Sequence, residues 1–146
     1  MVKIKLVDLV ARELTGKEAV YSVPKGKNPI SIGRGKDADV VLFEGLDGET
    51  KNAILFDEQN SRVYRNSCLE VSRRHCLIGQ ERGNFYVEDD NSEHWTYANG
   101  RLVVSSTPLA DGSIISLGKN YKLQVFFQDE DEGSSADEIG LALEEK

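Results

Sequence analysis

Two short segments carry residue types that can do chemistry. Ile30-Ser-Ile-Gly-Arg-Gly35 runs an alternating apolar stretch into an arginine set between two glycines. Gly33 and Gly35 let the backbone turn sharply, which presents the Arg34 guanidinium at a loop tip. Val71-Ser-Arg-Arg-His75 places a hydroxyl, two guanidiniums and an imidazole side by side at the start of another apolar run. A phosphate group suits this mixture: fixed positive charge, a neutral hydroxyl donor, and a group that braces the loop. The competing chemistry is a nucleophile–base pair of Ser72 and His75. Against it, the neighbours Glu70, Val71, Arg73 and Arg74 supply no glycine-framed nucleophile elbow. No glycine-rich loop followed by lysine, metal-ligand cluster or cofactor fingerprint occurs elsewhere. The expectation is therefore anion recognition without catalysis, cofactor or metal.

The elements that must hold these segments read as strands. Val2, Ile4 and Leu6 alternate with Lys3 and Lys5, the period of a half-buried strand. Further short strands are predicted at Ala19–Val23, Ile30–Ile32, Val40–Phe43, Ala53–Phe56, Arg62–Arg65, His75–Gly79, Asn84–Glu88, Ile114–Leu117 and Lys122–Phe127. Arg82-Gly83, Asn99-Gly100 and Asp111-Gly112 supply the positive φ that hairpin turns need. Before residue 128 no helical period stands out. The pattern predicts an all-β sandwich or barrel. The polar stretch 44–66 is expected as an inserted hairpin or loop between two core strands.

Composition limits the partners. The 146 residues carry 25 acids and 18 bases, a net charge of -7. Residues 128–146 hold eight of those acids and one base, so residues 1–127 are balanced. A balanced body argues against nucleic acid, whose binders need a basic excess. Apolar runs reach four residues, too few to span a membrane, and charges interrupt the first residues where a signal peptide needs its apolar core. Cys68 and Cys76 lack metal-ligand spacing and are expected as reduced thiols of an intracellular protein, cytoplasmic or nuclear. The division predicted is a domain over 1–127 and an acidic tail over 128–146, disordered or weakly helical. The tail is expected chiefly as a solvated extension, with residues 129–132 as an alternative, weak competitor for the Arg34, Arg73 and Arg74 cluster.

In their order and separation, Gly33-Arg34, Ser72-Arg-Arg-His75, the region Asp89 to Gly100, and Leu117-Gly118 resemble the forkhead-associated (FHA) domain. The resemblance covers about residues 2–127. It implies a SMAD/FHA-like β-sandwich of about eleven mostly antiparallel strands, whose loops at one end bind phosphothreonine peptides. It further implies that Arg34, Ser72 and Arg73 meet the phosphate, that Gly33 and His75 shape the site, and that Glu93 and His94 lie along the peptide. His94 stands where the family carries a peptide-gripping asparagine, Trp95 where it carries glycine, and Glu93 where a residue faces the phosphate. Those departures leave a second reading open, a docking domain that has lost phosphate dependence. The partner implied is a phosphothreonine-containing protein or peptide. Nothing in the sequence fixes the oligomeric state.

Overall fold

The computed structural model describes residues 2–129. Eleven strands and three helices follow in the order β1 (Val2–Asp8), α1 (Leu9–Thr15), β2 (Val20–Tyr21), β3 (Ile30–Gly33), β4 (Val40–Val41), α2 (Gly48–Leu55), α3 (Glu58–Ser67), β5 (Cys76–Glu81), β6 (Asn84–Asp89), β7 (Thr96–Ala98), β8 (Arg101–Leu102), β9 (Thr107–Pro108), β10 (Ile114–Leu117) and β11 (Tyr121–Asp129). One sheet has the order β2-β1-β11-β10-β7-β8, the other β4-β3-β5-β6-β9. All pairings are antiparallel except β3 with β4. Alternation sorts the side chains. Leu6, Leu123 and Val125 of the first sheet and Ile32, Ile78 and Val87 of the second share one buried core, while Lys122 stays exposed. Arg82-Gly83 and Asn99-Gly100 make the β5–β6 and β7–β8 turns with positive φ at both residues. Strand β11 runs to Asp129, which pairs with Val2. The tail expected over 128–146 lies, from residue 130 onward, outside the described residues. Cys68 and Cys76 are free thiols.

The helices correct the sequence reading. The stretch 44–66 is not a hairpin or loop. It holds α2 and most of α3, so the strands expected at Ala53–Phe56 and Arg62–Arg65 do not form. Each helix starts on an aspartate whose carboxylate accepts a backbone N–H three residues on: Asp8 from Ala11, Asp47 from Thr50 and Asp57 from Asn60. Gly16 closes α1 with φ of 75°. Their periodicity is faint because little of each is buried. Ala11 is the buried residue of α1, Thr50 and Ile54 those of α2, and Tyr64 that of α3.

What holds these helices to the sandwich is a buried knot of polar groups. Asp8 is wholly buried at the end of β1. Its Oδ1 caps α1, and its Oδ2 accepts the hydroxyls of Tyr21 at 2.9 Å, Tyr64 at 2.7 Å and Tyr121. The phenols also lie 3.0–3.3 Å from one another. Burial, reinforced by the charge of Asp8, pushes all three tyrosines far above their ordinary range. The knot joins β1, β2, α3 and β11. Removing one donor to a charged acceptor should cost about 1.5–3 kcal/mol, so Tyr64→Phe is expected to lower the unfolding free energy by that amount in urea titrations. Asp8→Ala leaves three buried hydroxyls without their acceptor and should cost more. A Tyr64→Phe variant as stable as the parent would show that the hydroxyl is not held to Asp8.

Candidate functional site

The two segments picked out by chemistry meet at one end of the sandwich. Strand β3 ends at Gly33, and the following main chain pairs with the loop before β5: Arg34 N donates to Ser72 O at 3.2 Å and Gly35 N to Arg73 O at 3.0 Å. Glycine is required there. A Cβ on Gly33 would lie 2.0 Å from the Arg73 carbonyl oxygen, and one on Gly35 would lie 2.7 Å from the Arg73 Cβ. Arg34 is exposed, yet its Nε donates to the Val71 carbonyl. That bond uses one of the five guanidinium donors and leaves the other four to a ligand. Arg73 is exposed and has no ion-pair partner among the described residues, whereas Arg74 pairs with Asp90 at 3.3 Å.

His75 is wholly buried beneath this loop. Its Nδ1 accepts the backbone N–H of Ser72 at 3.0 Å, so the ring proton sits on Nε2, which donates to the Trp95 carbonyl at 2.8 Å. Both ring nitrogens are thereby taken up by main chain, and neither faces the Ser72 hydroxyl. That hydroxyl instead accepts the Glu93 N–H at 3.0 Å, which leaves its own proton to donate outward. Burial holds His75 below its ordinary pKa.

The loop from Asp89 to Thr96 is self-tied. Asp89 accepts the N–H and hydroxyl of Ser92 and the hydroxyl of Thr96. Burial works against its charge, but those bonds outweigh it and hold its carboxyl below the usual range. Glu93, His94 and Trp95 project from this loop as exposed residues. The Trp95 carbonyl also accepts the Gly118 N–H at 3.0 Å, which draws in the β10–β11 turn. The start of the acidic tail is not at this end. Asp129 sits eight residues along β11 from Tyr121, about 26 Å at the usual strand rise. Of residues 129–132, named above as a competitor, only Asp129 belongs to the described residues.

The FHA domain family model matches residues 30–118. The chain belongs to the FHA domain family. Among solved structures, the FHA domain of the CT664 protein from Chlamydia trachomatis is 18% identical, over 84% of this chain and 95% of its own, with a TM-score of 0.56. An FHA domain solved in a study of phosphothreonine-dependent FHA domain interactions is 25% identical over 86% of this chain and 97% of its own, with a TM-score of 0.55. The MEK1 FHA domain in complex with the HOP1 pThr318 peptide is 19% identical over the same shares, 86% and 97%, with a TM-score of 0.53. No curated protein matches the sequence.

In this FHA domain Trp95 takes the left-handed conformation, φ 67°, that glycine adopts freely. The cost for an L-residue is about 1–2 kcal/mol, and the two bonds to its carbonyl hold it there. Its side chain is 57% exposed, so little burial offsets the strain. Trp95→Gly should therefore leave the melting temperature unchanged or higher, and a loss above about 1 kcal/mol would refute the strain. His75 sets a pH dependence. Its folded pKa lies below the ordinary 6.5, so the unfolded chain binds the extra proton. Stability is complete above pH of about 6.5 and falls as pH drops below it. Asp39, held down by its hydrogen bond to Lys27, and Asp89 lose their contribution only below about pH 4. Thermal melts from pH 7.5 to 5 should show the fall, and His75→Ala should be less stable at pH 7.5 with a flatter profile. An equal slope in that variant would rule His75 out as its source.

Proposed function

We propose that this FHA domain is a non-catalytic module that recognises phosphothreonine in a partner protein. The observation that carries the reading is the assembly, on two loops locked by main-chain bonds, of Arg34, the Ser72 hydroxyl and Arg73, with no acid pairing either arginine among the described residues. In this reading Arg34 and Arg73 take the phosphate oxygens and Ser72 donates its hydroxyl to one of them. Gly33 and His75 keep the two loops at bonding distance. Glu93 and His94 lie along the peptide, where the imidazole donates in place of the family's asparagine. The occupied ring nitrogens of His75 argue against a Ser72 nucleophile, since no base reaches the hydroxyl from that side. No helix of the described residues is long and apolar enough to cross a membrane. An intracellular partner fits the phosphothreonine reading, with the domain spanning about residues 1–127.

Three charge-assisted contacts, offset by ordering of the peptide, should sustain dissociation constants of about 1–100 μM. Calorimetry with a phosphothreonine peptide library, set against phosphoserine and unphosphorylated controls, tests this. Arg34→Ala is expected to abolish binding while the melting temperature stays nearly unchanged. Equal affinity for phosphorylated and plain peptides would instead make this a phosphate-independent docking domain.

A further inference from the structure

Helices α2 and α3 do more than fill the β4–β5 connection. Between them and the chain leaving β4 lies a cavity of about 660 Å³, within the range of sites that take small ligands. Leu42, Phe43, Leu55, Cys68 and Leu69 line it with apolar groups, and Arg34 lines it too. Leu55 is 52% exposed and Leu69 74%, so the rim presents large apolar groups to water. The floor is fixed. Phe43 sits at φ 68°, its N–H donates to the Tyr21 hydroxyl, and its ring centroid is 5.4 Å from that of Tyr64. Burial pushes the Cys68 thiol up to about 12, as an apolar lining requires. Arg65 also lines the cavity, and neither it nor Arg34 has an ion-pair partner among the described residues.

We propose that this groove extends the phosphopeptide site and seats one large apolar side chain, of the Leu, Ile or Phe kind, near the phosphothreonine. The inference rests on the phosphopeptide reading above. Arg34 supplies the continuity, because the residue whose guanidinium is tied to the loop before Ser72 also lines the groove. Charge supplies the complementarity: the two arginines at an otherwise apolar groove match an anionic ligand that carries an apolar neighbour. A floor already rigid in the free protein orders no further on binding, so burial of that neighbour appears as affinity.

The test uses the full chain and phosphothreonine peptides of two kinds, one flanked only by alanine and one with leucine or phenylalanine scanned through the flanking positions. At one flanking position the apolar residue is expected to tighten binding about tenfold. The double variant Leu55→Ser/Leu69→Ser, both positions being exposed, should lose that gain yet bind the alanine-flanked peptide as the parent does. No gain at any position, or a gain that survives in the variant, overturns the groove while phosphate binding stands. A gain seen only after deletion of residues 130–146 assigns the groove to the chain's own tail instead. A parent dimer that dissociates on Leu69→Ser assigns it to a second copy. If phosphorylated and plain peptides bind alike, the phosphopeptide reading falls and the groove proposal with it.

Discussion

An imidazole with no contact to water holds the site together. His75 lies between two main-chain groups that are far apart in sequence, the Ser72 N–H and the Trp95 carbonyl, and satisfies both. Through Trp95 the link continues to Gly118, so the loops before β5, before β7 and after β10 are tied to one another. Without the ring, the Ser72 N–H would lose its acceptor at a cost of about 1–3 kcal/mol, and the Trp95 carbonyl would keep only the Gly118 N–H. The same link explains why a tryptophan can persist at a glycine conformation. Its carbonyl is held twice, and the strain is carried by bonds that the site needs anyway.

The other half of the molecule's specificity comes from Asp8. Helices of eight and ten residues are too short to persist alone in water, and α3 buries only Tyr64. That one side chain both reaches the Asp8 carboxylate and stacks near Phe43 and, edge-on, near Tyr121. The wall of the groove beside Arg34 therefore depends on a carboxylate at the end of β1. Insert and sandwich core are coupled through four polar side chains as well as through the packing of Leu46, Ile54 and Tyr64 into the core.

Local features were legible and long-range ones were not. Turn pairs such as Asn99-Gly100 are set by their own φ preferences, and the alternation of β1 and β11 by one buried face, so both can be read in a few residues. The sandwich followed from these and from the ordered Gly33-Arg34 and Ser72-to-His75 segments. Helices α2 and α3 escaped because their apolar stripe is one or two residues wide; the aspartate caps at Asp47 and Asp57 were the available signal. The Asp8 knot was invisible for a different reason. Tyr21, Tyr64 and Tyr121 stand 13, 56 and 113 residues from Asp8, and no spacing rule links a strand-end aspartate to phenols at such distances. A buried carboxylate looks in sequence like a surface one.

The charge around the site sets how a phosphate would be held. Arg74 is offset by Asp90, and Asp89 and Glu93 carry negative charge in the neighbouring loop, so Arg34 and Arg73 leave no large positive excess. A phosphate carries about -1.5 to -2 charges, so the pocket does not neutralise it by charge alone. In the proposed reading directional donors do the rest: the Ser72 hydroxyl and the guanidinium hydrogens left over from the Val71 bond. The body around them is balanced, so it adds no long-range field. Recognition here is then a matter of geometry at short range. That places the burden on the main-chain lock between Gly33-Arg34-Gly35 and Ser72-Arg73, where a single added Cβ would break the fit.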